Sequence, residues 1–431
     1  MRKIPVDIIS LGCSKNLVDS ELLMRQFAAN GYEVRHNPEK SAKEIVVINT
    51  CGFINDAKEE SIEMILEYAN ARKSGQIKQL FVIGCLSERY LNELQKLIPE
   101  VDKFYGKFNW KALISDLGKT YYSEYANERI ISTPSHYAYL KIAEGCNRSC
   151  SYCTIPIITG NYQSRPMEEI ETEVRFLVQQ GVKEFQLIAQ DLTYYGKDIY
   201  NRYNIAELTA RIADIEGVEW LRLHYAYPAL FPLDLLPVIR EKKNVCKYLD
   251  IALQHSSNAM LKKMRRNITK EETIELLQKI REEVPEIHLR TTMLVGHPDE
   301  TDEDFADLIQ FVENQQFERL GAFAYSEEEG TYAANHYADN VEESVKQQRM
   351  DRLMRVQERI ASEINETKIG QILKVIIDRE ETEYYIGRTE YDSPEVDTEV
   401  LVEKTEKLKT GEFYQVKITG SLSFDLTGNI V

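Results

Sequence analysis

The sequence predicts an α/β protein in three parts: an N-terminal parallel α/β sheet domain, a partial (β/α)6 barrel and a small C-terminal β-barrel. Three observations carry this reading. Near the N-terminus, short continuous apolar runs alternate with helical patterns, as in a parallel sheet covered on both faces. From about residue 137 the alternation restarts and gives six further strand candidates, fewer than the eight of a complete barrel. After about residue 366 it gives way to five short strands separated by turns, the size of an OB-like barrel.

Taken in order, residues 6–11, 44–49 and 80–84 read as strands and residues 20–30 as a helix that Gly31 terminates. Ile45 to Ile48 are apolar without a break, so that strand has no face to offer water. The next helix places Ile62, Ile65, Leu66 and Ala69 on one face, and 88–97 forms another. Residues 1–120 make the first domain and 121–135 a linker. The barrel domain spans 136–364, with strands near 139–143, 184–189, 220–225, 248–253, 288–294 and 319–325. It closes on a long helix carrying Leu353, Val356, Ile360 and Ile364 on one face. The tail, 365–431, holds strands near 372–377, 384–388, 399–402, 413–418 and 423–426.

Composition narrows the function classes. No apolar run in the 431 residues approaches the roughly 20 that a membrane helix needs. Asp7 interrupts the short apolar stretch near the start, so no signal peptide is expected. A cytoplasmic location follows, where thiols stay reduced. The formal charge is −17, from 53 Lys and Arg against 70 Asp and Glu. Such a chain is poorly suited to hold nucleic acid through its overall field, and a basic protein is the more natural partner.

Seven cysteines in a reducing compartment point to metal or catalysis rather than to disulfides. Cys146, Cys150 and Cys153 form a CxxxCxxC triplet just after the first barrel strand, at the end where such barrels carry their chemistry. Structural zinc wants four closed ligands, and no fourth Cys or His lies nearby. A [4Fe-4S] cluster on three thiolates keeps one iron open, which suits the amino and carboxylate groups of S-adenosylmethionine. One electron from the cluster then splits the sulfonium and releases a radical. Cys13, Cys51 and Cys85 each follow one of the three N-terminal strands. Parallel strands present those ends on one edge, so the three thiols can converge on a second cluster, unless they are strand-end cysteines placed for packing. Cys246 has no such setting and reads as a core or near-surface thiol.

Several segments carry a family resemblance: Ser10-Leu-Gly-Cys13-Ser-Lys-Asn-Leu-Val-Asp-Ser-Glu21, Ile48-Asn-Thr-Cys51-Gly-Phe53, the 144–153 loop, Ile188-Ala-Gln190-Asp191, Tyr248-Leu-Asp-Ile-Ala-Leu-Gln254-His255 and 291–300. Together they resemble the radical S-adenosylmethionine methylthiotransferases over essentially the whole chain, with the tail as a TRAM domain. The resemblance implies two [4Fe-4S] clusters facing each other, one making the radical and one carrying sulfur. One S-adenosylmethionine methylates that sulfur and a second initiates hydrogen abstraction from the substrate. Two branches compete. The stretch Gly12-Cys13-Ser14-Lys15-Asn16 resembles the RimO type, which modifies the β-carbon of an aspartate in ribosomal protein S-12. The transfer-RNA branch (MiaB type), the alternative, usually reads Gly-Cys-Gln-Met-Asn. Residues 366–431 hold eight Lys and Arg against fourteen Asp and Glu, a charge that favours a basic protein over phosphate. Nucleic acid is therefore not the expected primary substrate. A reductase or a flavodoxin-type protein would supply electrons.

The chain departs from the family pattern at Ser14 and Ala252, where Pro is usual, and at His297 and Asp299, where Phe and Gly are commoner. Further candidates for cofactor contact are Gln190, Asp191, Gln254 and His255 at barrel strand ends, with Gly296 and Pro298 in the turn after the fifth strand. Each could instead cap or shape its own loop. Arg165 can meet a carboxylate bidentately or form a surface ion pair. Lys262, Lys263, Arg265 and Arg266 form the strongest basic run and read as a solvated helix face rather than a grip on nucleic acid.

Overall fold

The computed structural model describes residues 3–39 and 44–431; Met1 and Arg2, part of the stretch read for a signal peptide, lie outside them. Five parallel strands form the N-terminal sheet, in the order Glu33–His36, Pro5–Ser10, Ile45–Thr50, Gln79–Gly84 and Lys103–Phe104. The middle strand, Ile45–Thr50, is buried at every position, as its unbroken apolar run requires. The two edge strands escape sequence reading because one is polar and half-exposed and the other only two residues long.

The first helix, Ser14–Ala29, begins six residues before its sequence-based start. Lys15, Asn16, Asp19, Ser20 and Glu21 are polar or charged, yet all five are buried. Cys13 occupies the N-cap position with extended backbone. In the helix Asn55–Lys73, Ile65 and Ala69 face the core, whereas Ile62 and Leu66 stand exposed, so the apolar face is narrower than expected. The 88–97 helix is two short helices, Cys85–Arg89 and Leu91–Leu97.

Contacts divide the chain into two compact units, one of Met1–Thr133, Tyr139–Arg148 and Thr154–Phe176, the other of Pro134–Ala138, Ser149–Cys153 and Leu177–Val431. Residues 121–133 of the expected linker belong to the first unit and are firmly held there. Arg129, 3% exposed, pairs with both Glu21 and Glu173, and Ser132 donates to Glu21 Oε1 through its backbone N–H (2.7 Å) and its hydroxyl (2.8 Å).

The second sheet has six strands in the order Arg319–Ala324, His288–Val295, Val245–Ile251, Trp220–Ala226, Glu184–Ile188 and Tyr137–Lys141. Its order follows the chain without a swap, as successive right-handed βα units demand. The tail is a closed five-stranded barrel of Ile372–Glu380, Tyr384–Thr389, Val400–Glu403, Leu426–Ile430 and Phe413–Ser421. Trp220, Cys246, Tyr248 and Ile376 form one apolar cluster between sheet and barrel, which makes Cys246 a core thiol. Beside it Glu184, fully buried, accepts from Arg388 Nη2 at 2.7 Å and Arg222 Nη2 at 3.1 Å. Burial pushes this carboxyl up, but the two guanidiniums outweigh burial and hold it below its ordinary range.

Among the described residues no helix is long and apolar enough to cross a membrane. We expect Glu184→Ala to cost about 3–5 kcal/mol, because it strands buried guanidinium charge. Urea denaturation checks this, and an unchanged midpoint contradicts it.

Candidate functional site

Cys13, Cys51 and Cys85 stand where the three central N-terminal strands end. Cys13 follows Pro5–Ser10 by three residues, Cys51 follows Ile45–Thr50 directly, and Cys85 follows Gln79–Gly84 directly. Their convergence rests on a buried asparagine. Asn16 Nδ2 donates to Thr50 O at 2.9 Å and to Leu11 O at 3.3 Å, and Cys85 Sγ donates to Asn16 Oδ1 at 3.5 Å. A single side chain thus touches all three cysteine-bearing turns. Asn49 reinforces it, donating to Asn16 O at 2.8 Å and Ser20 Oγ at 2.9 Å. Ser61 holds the Cys51 peptide, accepting from its N–H and donating to its carbonyl, both at 3.0 Å.

Gly12 must be glycine. Its φ is +84°, and a Cβ there would lie 2.5 Å from Cys51 Cβ and 2.8 Å from its sulfur. Cys13 is exposed, Cys51 buried and Cys85 half-buried. Burial pushes the Cys85 thiol up to about 12 against the pull of nearby Lys107. A metal bound there would drive off the proton. Among the described residues no three His, Cys, Asp or Glu side chains come close enough to grip one metal ion. A cuboidal cluster, with each thiolate on its own iron, asks for wider spacing. The all-sulfur donor set and the cradle that a Cβ at Gly12 would fill fit such a group.

Lys107 belongs to a buried ion chain that the sequence did not disclose. It reaches Asp19 at 2.9 Å and Glu144 at 3.6 Å, while Lys141 pairs with Asp19 and lies 2.9 Å from Glu144. Burial raises the Asp19 carboxyl, but the two ammoniums outweigh it and hold the group below the usual carboxylate range. Lys107 is raised well above the ordinary lysine value by Asp19 and Glu144, against its own desolvation. Glu144 immediately precedes Gly145-Cys146, so the chain of charges ties the first helix to the start of the triplet. The only sequence hint was a surplus of polar residues in 14–21.

The triplet loop is fixed from both of its ends. Gly145 has φ +77°, and a Cβ there would sit 2.1 Å from Asn161 O. Cys146 N donates to Gly160 O at 3.1 Å. In the second unit, Ser151 N donates to Met264 O at 3.0 Å, and Cys153 N donates to Cys150 O at 3.2 Å. Arg266 departs from the expected solvated face: it is 3% exposed and places Nη1 3.1 Å from Cys150 Sγ.

The remaining candidates divide. Asp191 caps its own turn, accepting from Thr193 N at 3.0 Å and Thr193 Oγ1 at 2.6 Å. Gln190 is half-buried just beyond the strand Glu184–Ile188. Gln254 adopts φ +76°, bridged to the neighbouring strand at Met293. His255 Nδ1 accepts from Ser256 N and Ser257 N, both at 3.0 Å, so its proton sits on Nε2, 3.8 Å from Glu300 Oε2. Burial pushes this imidazole down to about 4 and the Glu300 carboxyl up to about 7. Glu300 in turn accepts from Gly296 N at 2.6 Å, which shapes the Gly296–Pro298 turn. His297 fits where Phe is commoner because Tyr152, Tyr325 and Tyr337 surround its ring, while Ser151 Oγ meets Nε2 at 3.2 Å. Arg165 meets the protein's own carboxylate, Glu173, at 2.7 Å and donates to Lys141 O at 2.8 Å. It lines a cavity of about 210 Å³ with Trp110, Tyr121 and Tyr125.

Comparison with known proteins adds the following. Residues 5–106 match the uncharacterized protein family UPF0004, 140–312 the radical SAM superfamily and 369–431 the TRAM domain. A protein of Parabacteroides distasonis named ribosomal protein uS12 methylthiotransferase RimO is 65% identical, with 100% of both chains covered. A Porphyromonas gingivalis protein of the same name is 63% identical, again over 100% of both. Among solved structures, the radical S-adenosylmethionine methyltransferase TsrM of Kitasatospora setae, with cobalamin and a [4Fe-4S] cluster bound, superposes with a TM-score of 0.56 at 14% identity. That match covers 77% of this chain and 74% of TsrM; it speaks to the fold alone.

The Gly12 cradle generates a specific expectation. Gly12→Ala should displace Cys51, so that the anaerobically loaded chain holds one cluster's iron rather than two. Iron analysis checks this, and a full iron complement in the variant contradicts it.

Proposed function

The chain belongs to the RimO family of ribosomal protein uS12 methylthiotransferases, which are radical SAM enzymes, and from that premise we propose that it adds a methylthio group to the β-carbon of an aspartate in uS12. The observation that carries this is identity of 61–65% along the full length to relatives bearing that name. The Gly12-Cys13-Ser14-Lys15-Asn16 stretch and the acidic tail support uS12 over a transfer-RNA adenosine. The three parts serve distinct tasks: 1–120 as the sulfur-carrying domain, 136–364 as the radical core and 365–431 as the TRAM domain that meets the substrate.

Cys146, Cys150 and Cys153 hold the [4Fe-4S] cluster that binds S-adenosylmethionine, and Cys13, Cys51 and Cys85 hold a second. When bound, these groups supply one-electron cleavage of the sulfonium, hydrogen abstraction and the transferred sulfur. The chain's residues do the rest. Asn16 keeps the N-terminal turns together, and the Lys107–Asp19–Lys141–Glu144 chain holds the radical loop to the first helix. Glu300 and His255 shape the turn in which Gly296 and Pro298 contact S-adenosylmethionine, with Gln190 and Gln254 at neighbouring strand ends. Asp191 and Arg165 act indirectly, by holding their own segments. A reductase or flavodoxin-type donor supplies the electrons, and a ribosomal substrate supports a cytoplasmic location.

Two variants separate the roles. With S-adenosylmethionine and a reductant, Cys150→Ala should form no deoxyadenosine yet keep the N-terminal cluster. Cys51→Ala should form deoxyadenosine without methylthio transfer; methylthio product from either variant contradicts the assignment. Mass spectrometry of uS12 and tRNA incubated with the enzyme should find the increment on the uS12 aspartate. An increment on adenosine alone overturns the substrate assignment.

A further inference from the structure

We propose that Arg266 is a positioning residue for the radical cluster: by donating from its guanidinium to Cys150 Sγ it raises that cluster's reduction potential. The inference rests on the cluster reading above and concerns a side chain outside the cysteine motif.

Four features show a built contact. Arg266 Nη1 stands 3.1 Å from Cys150 Sγ, and Nη2 donates to the Ala252 carbonyl. The guanidinium carbon lies 4.2 Å from the centre of the Tyr227 ring, and the Tyr227 hydroxyl donates to Arg266 O at 2.6 Å. A planar cation is thus clamped at both ends and stacked on a ring. Its neighbours pay a conformational cost to aim it. Arg265 and Asn267, on either side, both adopt left-handed backbone, φ +57° and +53°. The turn so formed sends Arg266 inward, while Lys263 pairs outward with Asp299 and Arg265 lies over Tyr332.

The decisive observation is what Arg266 lacks. It is 3% exposed, and among the described residues no carboxylate pairs with it; the groups that face its charge are Tyr152, Cys150 and Tyr227. A buried cation without an anion is strongly unfavourable. A cluster held by Cys150, whose sulfur lies 3.1 Å from Nη1, would supply the missing negative charge. Arg266 Nε, also buried, has no partner in the chain, so a second donor remains for an acceptor that the bound group brings. Hydrogen bonds and positive charge at a cluster sulfur favour the more negative, reduced state. Removing them should make the cluster harder to reduce.

The test is a dithionite-poised redox titration of the loaded chain, read by the paramagnetic signal of the reduced cluster. It uses the wild type, Arg266→Met and Arg266→Lys, each with its iron content measured. Arg266→Met should shift the reduction equilibrium at least tenfold towards the oxidised cluster, equivalent to a fall of 59 mV for a one-electron couple. Arg266→Lys, which keeps the charge but loses the planar fork, should recover part of that shift. Unchanged potentials in both variants at full iron loading overturn the proposal. Should Arg266→Met fail to load iron, Arg266→Lys decides alone, and a wild-type potential in it overturns the proposal. Absence of any cluster signal from the wild-type triplet would instead overturn the cluster reading, and the inference with it.

Discussion

The N-terminal site depends on one buried amide. Parallel strands deliver their C-terminal ends to one edge of the sheet, but that alone leaves three cysteines on three separate turns. Asn16 converts proximity into a site. It donates to the carbonyls of Leu11 and Thr50, which precede Cys13 and Cys51, and accepts from the Cys85 thiol. With both ends of its amide engaged and no exposure to water, its orientation is fixed by the turns it joins. The early start of the helix Ser14–Ala29 follows from this, since Asn16 must lie on that helix's first turn to reach all three.

A second regularity is electrostatic. The chain carries a formal charge of −17, yet buried cations stand beside cysteines of both groups. Lys107 lowers what burial would otherwise raise at Cys85, and Arg266 lies against Cys150. Thiolates in a low-dielectric setting need such compensation. The acidic excess sits mostly on exposed surface, where it is free to attract a basic protein over a short, screened range.

Sequence made the strands legible because both faces of each sheet are covered, leaving continuous apolar runs such as Ile45 to Ile48. Cys13, Cys51 and Cys85 can be read as a group because strand ends in a parallel sheet share an edge, and Cys146, Cys150 and Cys153 from their spacing. What escaped was whatever depends on long-range partners. Residues 14–19 fall outside the sequence-based helix because nothing local reveals that Asp19 meets Lys107 and Lys141, just as nothing local reveals that Glu21 meets Arg129. Arg266 was hidden in a basic run whose other members do face outward. Ile62 and Leu66 carried the right period for a core face but lie on the exposed side of their helix, where periodicity alone could not say how wide the covered stripe is.

Two clusters per chain, each on three thiolates, is the premise from which the remaining chemistry follows. Iron and acid-labile sulfide analysis of oxygen-free, reconstituted protein, with Mössbauer spectroscopy to identify the cluster type, tests it most directly. The expected result is about eight irons and eight sulfides per chain, all in [4Fe-4S] form. About four irons per chain, or zinc in their place, would contradict it.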